Sequence, residues 1–159
     1  AGAAADLLDH VAARIRLSPG ARPLVATMRR TGAPTALVSG GFAVFAERIA
    51  AELGFDHVLA NRLDLVGGRI AGTVARPIVT GQTKRAFLLT LAAEHAVPLA
   101  ATLAVGDGAN DLPMLRVAGL GIAYRAKPAV AAAARRRLDH ADLRGLLYAQ
   151  GYRQAEIVE

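Results

Sequence analysis

Short apolar runs alternate with amphipathic helical segments along most of this 159-residue chain. The apolar runs at 36–38 and 102–105 are too short for helices, and glycines follow each of them closely. The segments between such runs carry apolar residues at helical spacing. Strands that alternate with helices pair in parallel, and helices then cover both faces of the sheet. The sequence therefore predicts an α/β fold with a parallel sheet.

The individual elements can be placed from local signals. Ser18 is expected to cap a helix with Pro19 at its first helical position, and Gly32 to end that helix. Alternating apolar residues around Gly67-Gly68 predict a β-hairpin over 62–74. Further helices are predicted at 3–16, 44–53 (closed by Gly54), 83–95, 111–118 and after Pro128, and further strands at 57–60 and 120–123.

Composition excludes several classes of protein. Hydrophobic residues make up 53% of the sequence and the mean hydropathy is +0.33, so the chain can bury a core and is not intrinsically disordered. No apolar run approaches the roughly 20 residues of a membrane span, and we expect neither a membrane partner nor a signal segment. The absence of cysteine excludes disulfides and thiolate metal sites, and it agrees with an expected cytoplasmic location.

The formal charge of +6 raises nucleic-acid binding as an alternative function. The basic residues are most concentrated in the run Arg135-Arg136-Arg137. However, all but two of the 19 basic residues are arginine, which is a bias of composition, and no aromatic residues are interleaved with them for base stacking. We therefore expect no nucleic-acid partner, and we interpret the run as a solvated helix end.

The segment Gly106-Asp107-Gly108-Ala109-Asn110-Asp111 directly follows a predicted strand. Ligands bind at this end of the strands in open α/β sheets. Asp107 can project from the sheet edge, and Asn110 and Asp111 add polar groups where the chain turns into a helix. Because Mg²⁺ prefers a few carboxylates together with waters and phosphate, Asp107 is a candidate metal ligand. Helix capping by Asn110 or Asp111 is the simpler alternative.

Two further segments carry groups suited to an anion. Ser39-Gly40-Gly41 lies between a strand and a helix, where a hydroxyl and backbone N–H groups can hold phosphate. A simple helix cap is the alternative role of Ser39. Lys84 lies near the start of a helix, where the helix dipole disfavours a cation, and it is one of two lysines in the chain. A solvated surface lysine is the alternative there.

In this order and spacing, Ser39, Lys84 and the segment from Gly106 to Asp111 resemble the second, third and fourth motifs of the haloacid dehalogenase (HAD) superfamily. The segments 17–21, 63–74, 118–123 and Lys127-Pro128 are similar to the phosphoserine phosphatases of that superfamily. The resemblance covers about residues 5–158. It implies a HAD-like, Rossmann-type parallel sheet with helices on both faces and a β-hairpin insertion. Residues 1–17 would be the last cap helix and the return to the core, and 18–159 the catalytic core.

The same resemblance implies the reaction. In the family, O-phospho-L-serine is hydrolysed to L-serine and phosphate through an aspartyl-phosphate, with Mg²⁺ as cofactor, in the last step of serine biosynthesis. Such phosphoryl transfer depends mainly on positioning and electrostatics. Asp111 would orient either the metal shell or Lys84. The implied residues are Ser39, Gly40 and Asn110 for the phosphate, Asp107 for Mg²⁺, and Lys84 and Asp111 for catalysis.

One motif of the family is absent from the sequence. The motif Asp-x-Asp-x-Thr/Ser ends the family's central first strand and supplies the nucleophile and the general acid/base. Asp6 and Asp9 cannot replace it because they lie in a predicted amphipathic helix with no strand before it. We therefore expect this chain to be the remainder of a longer one and the 159 residues alone to lack turnover. The missing strand would come from an N-terminal segment or by self-association. Thr80 is a smaller departure, since an acidic residue is expected there.

Three other functions stay open at this point. The phosphorylation domain of a cation pump shares Gly-Asp-Gly-x-Asn-Asp, but it needs transmembrane helices and a Thr-Gly-Asp second motif. Another HAD-type small-molecule phosphatase remains open because most of the cap that selects the substrate is missing. The third is a non-catalytic or clipped fragment. The four histidines show no ligand spacing and are expected at the surface or at helix ends.

Overall fold

Strands and helices alternate along the described chain, and the parallel pairing of the strands confirms the predicted α/β class. The computed structural model describes residues 2–4 and 7–159. These residues form two compact units. One contains the described residues up to Ile78 together with Asp142–Glu159, and the other contains Val79–Ala141.

The first unit is built around a parallel pair of strands. Strands β1 (Ala36–Phe42) and β2 (His57–Asn61) are connected by helix α3 (Ala43–Leu53). An antiparallel hairpin follows, formed by β3 (Leu63–Val66) and β4 (Arg69–Val74). The other helices of the unit are α1 (Leu7–Ala12), α2 (Ala21–Arg30) and α7 (Gly145–Ala149).

Helices α2 and α7 supply the most deeply buried side chains of this unit. Thr27 of α2 and Leu146 and Leu147 of α7 are fully buried. The Thr27 hydroxyl is satisfied because it accepts a hydrogen bond from the Val158 N–H at 2.9 Å. The last residues of the chain are therefore bound to α2, which the sequence pattern does not show.

The second unit contains a three-stranded parallel sheet in the order β5 (Leu103–Gly106), β6 (Leu120–Tyr124), β7 (Arg137–Leu138). Gly106 lies opposite Ala123 in the register of β5 and β6, so the segment after Gly106 leaves the sheet at its carboxyl edge. Ala104, Met114, Leu115 and Ala123 form the buried core beneath this edge. The helices of this unit are α4 (Gly81–Glu94), α5 (Leu112–Val117) and α6 (Pro128–Ala133).

Two predicted helix starts are wrong. Helix α2 begins at Ala21, and Ser18 does not cap it, because Gly20 takes a left-handed conformation (φ 82°) at the cap position. A Cβ on Gly20 would lie 2.7 Å from the Arg144 backbone nitrogen, so a contact from the far end of the chain determines this start. The first helix covers Leu7–Ala12 rather than 3–16, since Ala4 forms a bridge with Arg69 of β4. Ala5 and Asp6 of that prediction lie outside the described residues.

The predicted glycine stops and the hairpin are confirmed. Gly32 (φ 78°) follows the end of α2, and Gly54 (φ 80°) closes α3. Gly67 and Gly68 both have positive φ and form the turn between β3 and β4. Two successive left-handed residues match the twist of hairpin strands, which explains why a glycine pair is a reliable signal.

Two features of the described helices concern the crossing of a membrane and the position of the basic run. None of the helices in the described part of the chain has the length and apolar character that a bilayer crossing requires. The basic run at 135–137 lies beyond the end of α6 rather than at a helix end, and Arg137 begins β7, a strand that the sequence does not predict. Arg136 donates to the Gly119 carbonyl at 3.4 Å, and Arg137 pairs with Asp139 at 3.1 Å.

A polar contact beside β1 leads to a prediction about stability and pH. The hydroxyl and the N–H of Thr35 donate to Asp56 at 2.7 and 2.8 Å, and they hold the pKa of Asp56 below its ordinary value of 3.8. The Arg29 guanidinium, 3.7 Å away, adds to this shift. Because the pKa is depressed in the folded state, the stabilisation is present above the ordinary pKa and is lost as the pH falls through the folded-state pKa.

We expect Asp56→Asn to lower the free energy of unfolding at pH 7 by about 1 kcal/mol, a value reduced because the carboxylate is partly exposed. Urea unfolding measured from pH 7 into acid checks this result, and the two proteins should converge at low pH. Asp64→Asn serves as a control, since Asp64 accepts a hydrogen bond from Thr73 on the exposed hairpin. An equal deficit of Asp56→Asn at all pH values would contradict the prediction.

Candidate active site

The most deeply buried charges in the described chain are an ion pair in the second unit. Lys84 is 4% exposed and Asp111 is 6% exposed, and the Lys84 Nζ donates to the Asp111 Oδ1 at 2.6 Å. Burial of two charges is costly unless they are paired and hydrogen-bonded. Lys84 is therefore not the solvated surface lysine of the alternative interpretation.

The second oxygen of Asp111 organises the turn that follows β5. Its Oδ2 accepts hydrogen bonds from the N–H groups of Asp107 at 3.1 Å and Gly108 at 3.0 Å. The Asp111 carboxylate thus joins Lys84 to the backbone of the Gly106-Asp107-Gly108 segment. Asp111 does not cap α5 through its side chain, although it lies at the start of that helix.

The two glycines of this segment are required by contacts with side chains. A Cβ on Gly106 would lie 2.5 Å from the Cβ and the Oδ2 of Asp111. A Cβ on Gly108 would lie 2.5 Å from the Asn110 Oδ1. Neither glycine has a positive φ, so space rather than backbone freedom explains them. The glycines let the polar side chains of the motif fold back over the strand end.

Asp107 and Asn110 occupy the outer part of the same turn. Both side chains are exposed. In the described part of the chain the Asp107 carboxylate has no hydrogen-bond or ion-pair partner, whereas both oxygens of Asp111 are engaged. Within residues 2–4 and 7–159 no group of three or more histidine or acidic side chains converges to hold a metal. Asp107 is thus the carboxylate of this turn that is available to a ligand.

The first turn of α4 places Lys84 against this segment. Thr80 precedes the helix, and its hydroxyl accepts the Thr83 N–H at 3.2 Å while the Thr83 hydroxyl accepts the Thr80 N–H. This capping box replaces the acidic residue that the family resemblance leads us to expect at Thr80. A Cβ on Gly81 would lie 2.8 Å from the Asn110 carbonyl oxygen, so the start of α4 approaches the turn closely.

In the first unit, the anion-binding candidate Ser39-Gly40-Gly41 lies within β1 rather than after it. The Ser39 Oγ accepts the Gly41 N–H at 3.0 Å. The Gly40 carbonyl accepts a hydrogen bond from the Asn61 side chain at 2.8 Å. Asn61 was not predicted as a functional residue, although an amide at the end of an apolar strand is a sequence signal for such a contact.

The structure thus brings Lys84, Asp111 and the backbone of Asp107 and Gly108 together, with Asn110 beside them. Ser39 and Gly40 lie in the other unit and form their own polar loop. His10, His95 and His140 are exposed, as expected, whereas His57 is half-buried at the start of β2.

Comparison with known proteins identifies the family. The model of the haloacid dehalogenase-like hydrolases matches residues 1–116. A phosphoserine phosphatase of Streptomyces coelicolor is 43% identical over 99% of this chain, and one of Mycobacterium tuberculosis is 44% identical over the same share. The chain spans 38% of the length of each of these relatives. 

A solved substrate-bound phosphoserine phosphatase complex superposes with a TM-score of 0.88 at 33% identity, covering 93% of this chain and 70% of that one. These matches agree with the resemblance carried by Ser39, Lys84 and the segment from Gly106 to Asp111. The chain belongs to the haloacid dehalogenase-like hydrolases, within their phosphoserine phosphatase family.

Proposed function

We propose that this chain forms the phosphate- and metal-binding part of a phosphoserine phosphatase, an enzyme that hydrolyses O-phospho-L-serine with Mg²⁺ in the cytoplasm. The observation that carries the proposal is the buried Lys84–Asp111 pair, which is hydrogen-bonded to the backbone of the Gly106-Asp107-Gly108 segment. The relatives that match nearly the whole of this chain are phosphoserine phosphatases, which supports the choice of substrate.

The residues of the second unit suit a dianionic phosphoryl group. The Lys84 ammonium is held in place by Asp111, so it can neutralise negative charge without moving. A lysine ammonium has three donors, and one of them is used by Asp111. The exposed Asn110 amide can donate to a phosphoryl oxygen, and Asp111 acts by orienting Lys84 and the turn.

Asp107 fits the role of a magnesium ligand. Its carboxylate is exposed and unpaired within the described residues, and Mg²⁺ commonly takes only one or two protein carboxylates, with waters and substrate phosphate completing its shell. When bound, Mg²⁺ would supply Lewis-acid stabilisation of phosphoryl charge. The role of Asp107 is to hold that cation at the carboxyl edge of β5.

In the first unit, Ser39 is suited to donate to the phosphate. Its Oγ accepts the Gly41 N–H, and its hydroxyl, which donates to no group among the described residues, can donate to an anion. The exposed Gly40 lets an oxyanion approach the backbone.

We further propose that the nucleophilic aspartate comes from a segment outside these 159 residues, on a strand that joins a free sheet edge. No Asp-x-Asp motif occurs in the sequence. Among the described residues β1 is hydrogen-bonded to β2 only, and β5 to β6 only, so each strand has an edge that can accept a parallel neighbour. An N-terminal segment or a second polypeptide would satisfy this proposal.

Binding of O-phospho-L-serine tests the proposed function. We expect Mg²⁺-dependent binding by calorimetry, and we expect Ser39→Ala to weaken it about tenfold or more, the effect of losing one hydrogen bond to a charged group. Ser18→Ala is the matched control because Ser18 is the other serine of the chain and is exposed. Phosphate release measured in the same samples should not exceed the background. Binding that needs no Mg²⁺, or that survives Ser39→Ala, would count against the proposal.

A further inference from the structure

The ladder between β1 and β2 is interrupted at Ser39. The first three pairs are Ala36–His57, Leu37–Val58 and Val38–Leu59, and the next is Phe42–Asn61. Three residues of β1, 39–41, therefore lie opposite a single residue of β2. A bulge of this kind takes backbone groups out of the ladder, and these groups need other partners.

The side chain of Asn61 supplies one of these partners. Asn61 is 7% exposed, and its Nδ2 donates to the Gly40 carbonyl oxygen at 2.8 Å. A buried amide is costly unless it is hydrogen-bonded, so this contact holds the side chain and the loop in one arrangement. The contact joins residues that are 21 positions apart in the chain.

The carbonyl that Asn61 binds belongs to the same peptide group as the N–H that binds Ser39. The Gly40 carbonyl and the Gly41 N–H are parts of one planar unit and point in opposite directions when the peptide is trans. Because Asn61 fixes the carbonyl, it also fixes the direction of the Gly41 N–H. That N–H donates to the Ser39 Oγ at 3.0 Å.

We propose that Asn61 is a positioning residue: its buried amide fixes the Gly40–Gly41 peptide, which orients the Ser39 hydroxyl toward a bound phosphoryl group. This rests on the proposed function in so far as Ser39 binds phosphate. Asn61 acts through the peptide and does not itself bind the substrate. Between two glycines the peptide has no side chains to restrict it, so an external hydrogen bond is the means of holding it.

The test compares Asn61→Ala with the isosteric variant Asn61→Asp, which keeps the shape and lacks the donor. We expect the solvent exchange of the Gly41 amide, followed by NMR, to accelerate at least about tenfold in both variants as its hydrogen bond loosens. We expect the dissociation constant for inorganic phosphate in the presence of Mg²⁺ to rise about three- to tenfold. Thr73→Ala is the control, because it removes a hydrogen bond in the adjacent hairpin without contacting the loop.

A double variant decides whether Asn61 acts through Ser39. If it does, Ser39→Ala combined with Asn61→Asp binds phosphate no more weakly than Ser39→Ala alone, since coupled residues are not additive. Additive losses of phosphate affinity in the double variant would overturn the proposal. It would also be overturned if the Asn61 variants lost stability while the exchange of the Gly41 amide stayed unchanged. If Ser39→Ala has no effect on phosphate, the proposed function fails, and the Gly41 exchange still decides whether Asn61 fixes the peptide.

Discussion

Replacement of Lys84 by methionine is expected to lower the free energy of unfolding by about 3–5 kcal/mol, the usual cost of leaving one member of a buried ion pair without its partner. Methionine keeps most of the volume of the side chain, so the loss reports the missing charge and hydrogen bond rather than a cavity. Asp111, which is 6% exposed in the protein, would be left with an uncompensated carboxylate. Chemical denaturation followed by circular dichroism measures the effect.

Two further variants separate the ion pair from a general effect of removing a cation. Arg85→Met removes the neighbouring charge, which is exposed, and should change stability by less than about 0.5 kcal/mol. Adding Asp111→Asn to Lys84→Met removes the unpaired charge but keeps an oxygen for the Asp107 and Gly108 N–H groups. We expect this double variant to regain part of the loss. A cost for Lys84→Met no larger than that of Arg85→Met would show that the pair is not a stabilising contact.

Gly106→Ala is expected to destabilise the protein by about 2–3 kcal/mol through overpacking. The new Cβ would lie 2.5 Å from the Cβ and the Oδ2 of Asp111, so that side chain has to move. Its displacement breaks or strains the hydrogen bonds to Lys84 and to the N–H groups of Asp107 and Gly108. We therefore expect a second effect, which is faster reductive methylation of the Lys84 ammonium, measured by mass spectrometry of peptides.

Gly68→Ala is the matched control for this variant. Gly68 has a positive φ of 73° and nothing within 4 Å of a Cβ, so alanine there costs about 1–2 kcal/mol of backbone strain and does not reach Lys84. Both alanine variants lose stability, but only Gly106→Ala should expose Lys84 to the reagent. Equal protection of Lys84 from methylation in the two variants would show that Gly106 is not required for the position of the Asp111 side chain.

Lys84→Met and Gly106→Ala both disturb the contacts of the Asp111 carboxylate. Lys84 lies in the first turn of α4, and Gly106 is the last residue of β5. The Asp111 carboxylate lies between them. A cation that must neutralise a phosphoryl group is effective when it is held in position before the substrate binds. The buried pair provides this at a site where the helix dipole alone would disfavour a lysine.

Local sequence signals were sufficient for much of the fold. The helix and strand periods, the glycine pair of the hairpin and the stops at Gly32 and Gly54 all depend on residues within one turn or one strand. They correctly predicted the alternation of elements and the parallel pairing. The start of α2 and the strand at Arg137–Leu138 were not predictable in this way, because a contact with residue 144 determines the first and pairing with β6 the second.

The sequence by itself determined which residues could serve a phosphate site, because Ser39, Lys84 and the segment from Gly106 to Asp111 have the chemistry and the order of the family's motifs. Only the tertiary structure decided how these residues are used. It buries Lys84 against a carboxylate 27 residues away, and it fixes the loop at Ser39 through an amide 21 residues beyond Gly40. Periodicity and turn signals are properties of neighbouring residues, whereas such contacts depend on how folded elements pack, so the local pattern does not contain them.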